Sequence, residues 1–532
     1  MGGTSIVTGP DPGTGEGTEL PVVVLSHRGP VSFGRDASGR TASRGAGGLV
    51  TALTGLMSDL PDAVWVCAAS SEEDAAVAAE HDGGAVEVVL EPEPRLVDQE
   101  AADDGDGASS VHLRLVEVDQ RVHDDFYTVI ANPLLWFLQH GMYGLALAPV
   151  LTRREHAAWD DGYVAVNRLF ADAVVEEVQA RGGRALVMLH DYHFYLVARE
   201  VRERCPEVVL SFFLHIPWPG PDAWRVLPPA WRERVLNGLL GNDVVAFHTQ
   251  GFARNFLLSV QELLGLPVDL EAMTVQVGDR VVAARHYPIS IDVAAMRELA
   301  ASPEVAEHAD ALRDAFCGEG RQLVLRVDRT DPSKNIVRGF EAFATLLEDH
   351  PELVGRVSFL ALLQPSRQDV PEYADYLAEI GATVARVNAA HAREGYQPID
   401  LRLVEDLAMA VAAYTVCDVL MVNALADGMN LVAKEAVVVN TRESVLALSE
   451  NTGAHQELGA FAVTLHPFDV QQQADALHEA LTMGRDLRRA RREAAARVVE
   501  ENDIAKWLDA QLIDLGVHPT AERERLRPPG PA

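Results

Sequence analysis

Two short stretches of this sequence combine turn residues with cations and carboxylates. In RVDRTDPSKN (326–335), Arg329 and Lys334 lie five residues apart, on either side of an Asp331-Pro332 turn. A forked guanidinium and a point-charge ammonium can together neutralise a diphosphate. A surface ion pair with Asp331 is the alternative for the same lysine. The spacing therefore indicates a diphosphate site without excluding a simple ion pair.

The second stretch, ADGMNLVAKE (426–435), indicates a helix that opens with a turn. Asp427 and Gly428 form the turn, and the backbone N–H groups that follow face an anion or a hydroxyl; they belong to Met429, Asn430 and Leu431. Glu435 lies eight residues after Asp427, about two helical turns along. One ligand could therefore meet Asp427 with a sugar and Glu435 with a ribose. A capping Asp followed by an ordinary helical Glu is the alternative.

The N-terminal half carries three further candidates. RGAGGLVTALTG (44–55) is a glycine-rich turn that enters a helix, either for an anion or as a plain connector. Asp191, in LHDYHFYLV, can bind hydroxyls, hold a proton-transfer partner or cap a helix. His215 precedes a Pro-rich loop with Trp218 and Trp224, a combination that suits a carbohydrate. Packing of these tryptophans in the core is the alternative.

These residues follow short apolar runs that read as buried strands. Runs at 21–28, 63–69, 185–193, 208–217 and 243–249 alternate with helical periods, and the pattern restarts at 321–329. We expect an α/β fold of two doubly wound parallel sheets. The predicted segments are a disordered 1–19, domains at 20–295 and 296–480, C-terminal helices at 481–515 and a flexible tail at 516–532. Polar strand ends should converge where ligands bind in such sheets.

Composition narrows the class of protein. The chain has 532 residues and a formal net charge of −34, which argues against nucleic acid and anionic membranes as partners. Four well-separated cysteines predict buried thiols in a reducing compartment, and no metal-ligand pattern, signal peptide or membrane-length apolar run is present. We expect a cytoplasmic enzyme without cofactor or metal. A homo-oligomeric state is a further expectation.

Taken in order, these motifs resemble the trehalose-6-phosphate synthase family, retaining glycosyltransferase family 20. The resemblance runs from about residue 21 to 513 and rests on SHRGPVS, GGLVTAL, HDYH, FFLHIPWP, AFHTQGFARNF, VDRTDPSK, QPSR and DGMNLVAKE. It implies a GT-B fold, two facing Rossmann-like domains with the active site in the cleft between them. It also implies transfer of glucose from a UDP- or GDP-glucose to glucose 6-phosphate, giving α,α-trehalose 6-phosphate.

The resemblance also assigns roles. Acceptor binding falls to Arg28, Gly48, Tyr127, Trp136, Asp191 and Arg367. Donor binding falls to Arg329, Lys334, His215, Asp427, Met429, Asn430, Leu431 and Glu435. Within these sets, Arg329, Lys334, His215 and Asp191 are the predicted catalytic residues. Arg28 and Arg367 are expected to hold the acceptor phosphate.

Some positions depart from the family pattern. RTDPSKN stands where RLDYSKG is usual, so Pro332 and Asn335 replace a Tyr and a Gly. Ala68 stands in place of a tryptophan, and NALA lacks an Arg before the Asp-Gly turn. These features also resemble validoxylamine 7′-phosphate synthase, a pseudoglycosyltransferase that joins a nucleotide-linked cyclitol to an aminocyclitol phosphate. A nucleotide-sugar epimerase and a non-catalytic sugar-phosphate sensor are further alternatives.

Overall fold

The fold is described from a computed structural model. It covers residues 20–37, 39–45, 50, 53, 63–89, 95–96 and 110–516. Three predictions fall wholly or almost wholly outside the described residues: the disordered N-terminus 1–19, Gly48 and the flexible tail 516–532. The rest forms two compact units.

Within the described part of the chain the first unit has 13 strands, of which 11 form one mixed sheet and two form a separate hairpin. Its strands are β1 (Val22–Leu25), β2 (Val31–Asp36), β3 (Gly39–Arg44), β4 (Val64–Ala68), β5 (Val86–Val89), β6 (Arg95–Leu96), β7 (Ser110–Val116), β8 (Leu186–His190), β9 (Val209–Phe213), β10 (Val244–Phe247), β11 (Val268–Asp269), β12 (Thr274–Val277) and β13 (Arg280–His286). The sheet order is β11-β12-β13-β10-β9-β8-β1-β4-β7-β5-β6, and β2 and β3 form a separate hairpin. The seven strands from β13 to β7 are parallel, and antiparallel strands close both edges.

Helices connect these strands. They are α1 (Glu72–Glu80), α2 (Gln120–Asp124), α3 (Phe137–Gln139), α4 (Arg153–Ala157), α5 (Ala165–Ala180), α6 (Val197–Arg204), α7 (Pro221–Trp224), α8 (Pro229–Leu239) and α9 (Gln250–Leu264), with π-helical segments at Asp125–Trp136 and Ala158–Val164 and a 3₁₀ turn at Tyr192–Phe194. The chain runs from β1 to β4 on one side and returns to β8 on the other. The sheet therefore has its topological switch point between β1 and β8, where open α/β sheets bind ligands.

The second unit has a six-stranded parallel sheet. Its strands are β14 (Gln322–Arg329), β15 (Val357–Gln364), β16 (Ile399–Leu403), β17 (Val419–Val422), β18 (Val445–Ser449) and β19 (Val463–Leu465), in the order β16-β15-β14-β17-β18-β19. This is the doubly wound order 3-2-1-4-5-6. The switch point lies between β14 and β17, so the residues that follow these two strands face a common edge.

Helices connect the strands of this unit. They are α10 (Val293–Ala300), α11 (Pro303–Phe316), α12 (Ile336–Asp349), α13 (Pro371–His391), α14 (Leu407–Val416), α15 (Leu431–Val439), α16 (His455–Leu458), α17 (Val470–Thr482) and α18 (Arg485–Glu501), with 3₁₀ turns at Gly318–Gly320, Pro332–Lys334, Pro351–Leu353 and Gly459–Phe461. Phe340, Phe343 and Leu346 of α12 pack with Phe359 of β15 in the core of the unit. The apolar runs seen in the sequence are the buried strands, because both faces of a parallel sheet are covered.

The last helix, α19 (Ile504–Asp514), joins the first unit by its contacts from Ala505 onward. Tyr287 donates a 2.6 Å hydrogen bond to Asp514, and Trp507 packs edge-on against Phe213. The second unit comprises Pro288–Ile504 and the short segment His140–Met142. The predicted domain bounds, which treat 481–515 as a separate segment, stay a prediction.

Two further expectations from composition can be compared with the structure. Cys67, Cys205 and Cys417 are buried free thiols and Cys317 is half-buried. Burial raises the pKa of Cys417 to about 12, which makes it a small apolar core residue. Within the described ranges, no helix combines the length and apolar character needed to cross a membrane.

Candidate functional site

Lys334 and Asp427 meet at the switch point of the second sheet. Lys334 follows β14 and Asp427 follows β17, and the ammonium contacts Asp427 Oδ2. Both side chains are nearly buried, at 13% and 14% exposure. Burial works against the charge of Asp427, but Lys334 more than offsets it, so the pKa of Asp427 lies below its usual range. The surface ion pair to Asp331 that the sequence offered for Lys334 is not what forms.

The loop after β14 is shaped so that Lys334 points to this edge. Asp331 caps the 3₁₀ turn by accepting a 2.9 Å hydrogen bond from the Ser333 N–H, and Pro332 occupies the first position of the turn. Asn335 then turns the chain with φ of 58°, a left-handed conformation that Asn tolerates. Arg329, the last residue of β14, lies on the same strand end.

The turn before α15 differs from the prediction in one respect. Asn430, not Asp427, caps the helix, since its Oδ1 accepts a 3.2 Å hydrogen bond from the Ala433 N–H. Its Nδ2 donates a 3.1 Å hydrogen bond to Asp427 Oδ2. The Met429 carbonyl accepts from Ala454, so this backbone is held from both sides. Asp427 is thereby left outside the helix, with its carboxylate held by Lys334 and Asn430.

Glu435 lies on α15 and is half-buried. The Tyr414 hydroxyl donates a 3.1 Å hydrogen bond to Glu435 Oε2. Burial raises the pKa of Glu435 above its usual range. Leu431, at the start of the same helix, is half-buried. A carboxylate held in this way can accept hydrogen bonds from a ribose diol, as the sequence predicts.

Arg367 belongs to a triangle of hydrogen-bonding groups in the second unit. Its Nη1 donates to Asp331 Oδ2 at 3.0 Å and to the Tyr373 hydroxyl at 2.6 Å, and that hydroxyl donates to Asp331 Oδ2 at 3.1 Å. Asp331 and Tyr373 are fully buried. Arg367 itself has φ of 50°, a strained conformation of a kind that clusters at functional sites. The arrangement fixes one guanidinium edge of the arginine.

A buried pair of opposite charges lies on β14, the strand that ends at Arg329. Arg326 is fully buried, lies 3.4 Å from Asp328 Oδ2 through Nε and also contacts the Asn423 side chain. Burial raises the pKa of Asp328 to about 6, against the attraction of Arg326 and Lys334. Asp328 was not among the predicted site residues, although it lies beside Arg329 in the same motif.

In the first unit, Tyr127 lies in a stack of rings beside the end of β1. His27 stacks on Tyr127 at 5.2 Å and on His193 at 4.6 Å between ring centroids. Arg28 is exposed at the next position, where the Ser26 hydroxyl donates to its carbonyl at 2.6 Å. Trp136 is buried and packs against Tyr192 at 5.6 Å. The structure thus places Arg28 and Tyr127 near the switch point of this sheet.

Asp191 and His215 follow the neighbouring strands β8 and β9. Asp191 has φ of 75° and caps the 3₁₀ turn through a 3.0 Å bond from the Tyr192 N–H, so the capping alternative is confirmed. Its Oδ1 also accepts from the His215 N–H at 3.4 Å. His215 Nε2 lies 3.1 Å from His190 Nδ1. These contacts confirm that polar strand ends converge at one edge of this sheet.

The two tryptophans after His215 are not a sugar platform. Trp218 and Trp224 are fully buried, stack on each other at 4.2 Å, and Trp218 donates a 3.1 Å hydrogen bond to Ser259. The prediction of an aromatic surface for them is wrong, because the loop folds back over α9. The core-packing alternative is the one that holds.

Among the described residues, one group has the chemistry of metal ligands. His350, Glu352 and His478 have ligand atoms within 4.8 Å of one another. The two imidazoles stack face to face at 3.7 Å with an interplanar angle of 3°. The lone pairs of two parallel imidazoles lie in separate planes and cannot converge on one ion. The two histidines are therefore arranged as a ring stack and not as ligands of one metal ion. It lies at the C-terminal end of α12, far along the helix from Lys334.

Sequence reasoning missed several residues that hold the predicted ones. Tyr373 and Tyr414 stand on helices with no motif, and their roles depend on which side chains the fold brings near them. Asp331 was read as a turn residue and as an alternative partner for Lys334, and not as the carboxylate that holds Arg367.

Comparisons with known proteins identify the family of this chain and support its fold. The glycosyltransferase family 20 model matches residues 21–516. The chain is 30% identical over 492 residues to alpha,alpha-trehalose-phosphate synthase [UDP-forming] A of Dictyostelium discoideum, covering 91% of this chain. It spans 61% and 52% of the lengths of the first two curated relatives it matches.

Two solved structures with bound ligands are also similar. An E. coli trehalose-6-phosphate structure bound with UDP-2-fluoro glucose is 27% identical, with a TM-score of 0.77, over 93% of this chain and 98% of that one. The Burkholderia xenovorans alpha,alpha-trehalose-phosphate synthase (UDP-forming) in complex with glucose-6-phosphate is 25% identical, with a TM-score of 0.76, over 93% and 100%. These matches confirm the predicted α/β, GT-B fold class. Because the family match spans almost the whole described chain, this chain belongs to glycosyltransferase family 20.

Proposed function

We propose that this chain transfers glucose, with retention of configuration, from UDP-glucose to glucose 6-phosphate. The products are α,α-trehalose 6-phosphate and UDP. The observation that carries the proposal is the buried contact between Lys334 and Asp427 beside Arg329, at the switch point of a doubly wound sheet. The UDP-forming activity of the relatives supports uracil as the base, which sequence reasoning left open, and the glucose-6-phosphate bound by one relative supports the predicted acceptor.

On the donor side, Arg329 and Lys334 neutralise the diphosphate. Asp427 accepts hydrogen bonds from the transferred glucose, and the backbone of Met429, Asn430 and Leu431 supports the sugar and diphosphate. Glu435, oriented by Tyr414, binds the ribose. The base is the one part of the donor with no side chain assigned to it.

On the acceptor side, Arg28 and Arg367 bind the phosphate of glucose 6-phosphate. Tyr127 and Trp136 border the sugar, Asp191 accepts from its hydroxyls, and Gly48 stands close to the ligands. Asp331 and Tyr373 hold the guanidinium of Arg367, which supports this assignment. A preoriented Arg binds phosphate at a smaller entropic cost than a mobile one.

The chemical step breaks the bond between glucose C1 and the diphosphate oxygen. The anomeric hydroxyl of glucose 6-phosphate attacks C1 from the same face, and its proton passes to the departing phosphate oxygen. Arg329 and Lys334 stabilise charge that grows on this oxygen, where preorganised cations contribute most. His215 and Asp191 position the two sugars, and no protein nucleophile takes part.

We also propose that no metal or organic cofactor is needed. The two cations at the end of β14 and in the loop after it provide the charge that Mg²⁺ supplies in other nucleotide-dependent enzymes. Turnover should therefore continue in EDTA at the rate seen with added Mg²⁺. A large loss in EDTA that Mg²⁺ restores would contradict this part of the proposal.

A donor-by-acceptor panel tests the function. UDP-, GDP- and ADP-glucose are each combined with glucose 6-phosphate, NDP release is followed, and the product linkage is read by NMR. UDP-glucose should react fastest and give the α,α linkage. Silence with all glucosyl donors, with turnover of a nucleotide-linked cyclitol and an aminocyclitol phosphate, would favour the validoxylamine 7′-phosphate synthase alternative, to which Pro332 and Asn335 point.

Replacing Arg28 separates the remaining alternatives. Arg28→Ala should raise the KM for glucose 6-phosphate, whereas an epimerase acting on the donor alone would be indifferent to the change. A non-catalytic sensor would bind both ligands and release no NDP. Cytoplasmic location and a homo-oligomeric state stay predictions.

A further inference from the structure

His190 and His215 form a pair at the ends of two neighbouring strands. His190 is the last residue of β8 and His215 lies two residues beyond β9, and these strands pair in parallel. Their ring nitrogens, His190 Nδ1 and His215 Nε2, are 3.1 Å apart. Two neutral imidazoles at this distance share one proton, so one ring donates and the other accepts.

The surroundings of the two rings differ. His190 is 1% exposed, and its Nε2 has no hydrogen-bond partner among the described residues. His215 is half-buried, and within the described part of the chain its ring hydrogen-bonds through Nε2, to His190. Burial lowers the pKa of His190 to about 3 and also lowers that of His215, with the neighbouring histidines adding to the effect, so both rings are neutral near pH 7.

The pair has two possible proton arrangements, and they differ in free energy. If His215 Nε2 donates, the proton of His190 must stand on its buried Nε2, which leaves an N–H group without an acceptor. If His190 Nδ1 donates, only an unprotonated nitrogen is buried there. Orphaned buried N–H groups are rarer in proteins than under-used acceptors. The second arrangement is therefore favoured.

We infer that His190 is a positioning residue that fixes the tautomer of His215, so that His215 presents an Nδ1–H group to a hydroxyl of the donor sugar. His215 Nε2 is occupied as an acceptor, and the single proton of this half-buried ring stands on Nδ1. The sugar hydroxyl must then accept from His215. The part of the inference that concerns the sugar rests on the proposed function; the tautomer does not.

The tautomer can be read directly. In ¹⁵N-histidine-labelled wild-type protein, long-range ¹H–¹⁵N spectra distinguish Nδ1–H from Nε2–H rings, and the His215 signals are identified by their loss in His215→Gln. We expect His215 as the Nδ1–H tautomer near pH 7. The Nε2–H tautomer, or a doubly protonated ring, would overturn the inference.

Two variants at one position test the consequence for the donor. His190→Asn keeps an N–H donor near the Nδ1 position, whereas His190→Leu removes it and leaves a similar volume. His190→Leu should lower kcat/KM for UDP-glucose roughly 10- to 100-fold, since the His215 tautomer is no longer fixed. His190→Asn should stay within about fivefold of wild type, and the KM for glucose 6-phosphate should change little in either variant.

The outcomes separate the two proposals. Equal activity of His190→Leu and His190→Asn, both folded by circular dichroism, would overturn the positioning role. If wild-type protein turns over no UDP-glucose, the proposed function fails instead, and the spectrum of His215 still decides the tautomer.

Discussion

At the residue scale, charged side chains assigned to the donor and to the acceptor are paired within the protein. Lys334 neutralises Asp427, and Arg367 is held by Asp331 and Tyr373. In each pair the attraction between the opposite charges offsets part of the desolvation penalty of burying them. The pair also fixes the direction in which the cation points. Orientation is what a diphosphate or phosphate ligand requires of them.

Lys334 gives the first prediction. Lys334→Met should reduce kcat/KM for UDP-glucose by about 100-fold or more, because a preorganised charge on the leaving group is lost. Lys506→Met, on the exposed side of α19, removes a lysine from a helix without site residues and serves as the matched control. Both variants are measured by steady-state kinetics. Equal losses of activity in the two would contradict the assignment of Lys334 to the diphosphate.

The triangle around Arg367 gives the second prediction. Tyr373→Phe deletes one bond to the guanidinium and should raise the KM for glucose 6-phosphate about 3- to 10-fold, with little change in the KM for UDP-glucose. Tyr396→Phe is the control, since it deletes a 2.6 Å bond to the Val357 carbonyl in the same unit. Equal effects of both changes on acceptor KM would mean that Tyr373 acts only through stability.

Asp328 gives a pH-dependent prediction. Its pKa in the folded protein is raised to about 6 from 3.8, so between these pH values the folded state holds a proton that the unfolded state has lost. Stability therefore falls as pH rises through this window, by about 3 kcal/mol at most.

The matching variant isolates this group. The free energy of unfolding of wild type minus that of Asp328→Asn should decrease from pH 4 to pH 7, as measured by urea unfolding. Other titrating groups cancel in the difference. A difference that stays constant, or rises with pH, would show that Asp328 is ionised normally.

At the element scale, the start of α12 depends on a residue that departs from the family pattern. Asn335 has φ of 58° and is 2% exposed, and its Nδ2 donates to the carbonyls of Asn423 at 2.9 Å and Pro467 at 2.6 Å. Because its side chain is used in this way, the helix is capped from elsewhere. The Tyr376 hydroxyl accepts from Ile336 at 2.6 Å.

Two substitutions at Asn335 separate backbone strain from the lost bonds. Both Asn335→Gly and Asn335→Ala lose the amide contacts. The left-handed conformation destabilises the Ala variant further, because its Cβ clashes with the backbone and Gly has none. We expect Asn335→Ala to be less stable than Asn335→Gly by about 1–2 kcal/mol in denaturant unfolding. Equal stabilities would mean that the loop relaxes out of this conformation.

The elements themselves were predictable in part. The buried strands β1, β8, β9, β14 and β17 were visible as apolar runs ended by polar residues, because both of their faces are covered. The antiparallel edge strands β11 and β12 and the π-helical segment Asp125–Trp136 were not. These edge strands are short, and π-helices are too rare to be expected from a sequence. The site stands on the predictable strands.

At the scale of the whole molecule, the net charge of −34 makes the stability of the fold depend on salt. Like charges repel in the compact state, and this repulsion is screened over about 10 Å at 0.1 M salt and about 30 Å at 0.01 M. The Tm should therefore rise by a few degrees between 10 and 200 mM NaCl. KCl should act equally, because screening depends on ionic strength, and a Tm that does not change with salt would contradict this view.

The sequence alone determined the fold class, the family resemblance and which strand ends carry the chemistry, because buried strands and turn motifs are local patterns. The tertiary structure decided the partners: Lys334 with Asp427 and not Asp331, Asn430 as the helix cap, and Trp218 and Trp224 in the core. Such pairings join residues far apart in the chain. They follow from strand order and burial, which no local pattern encodes.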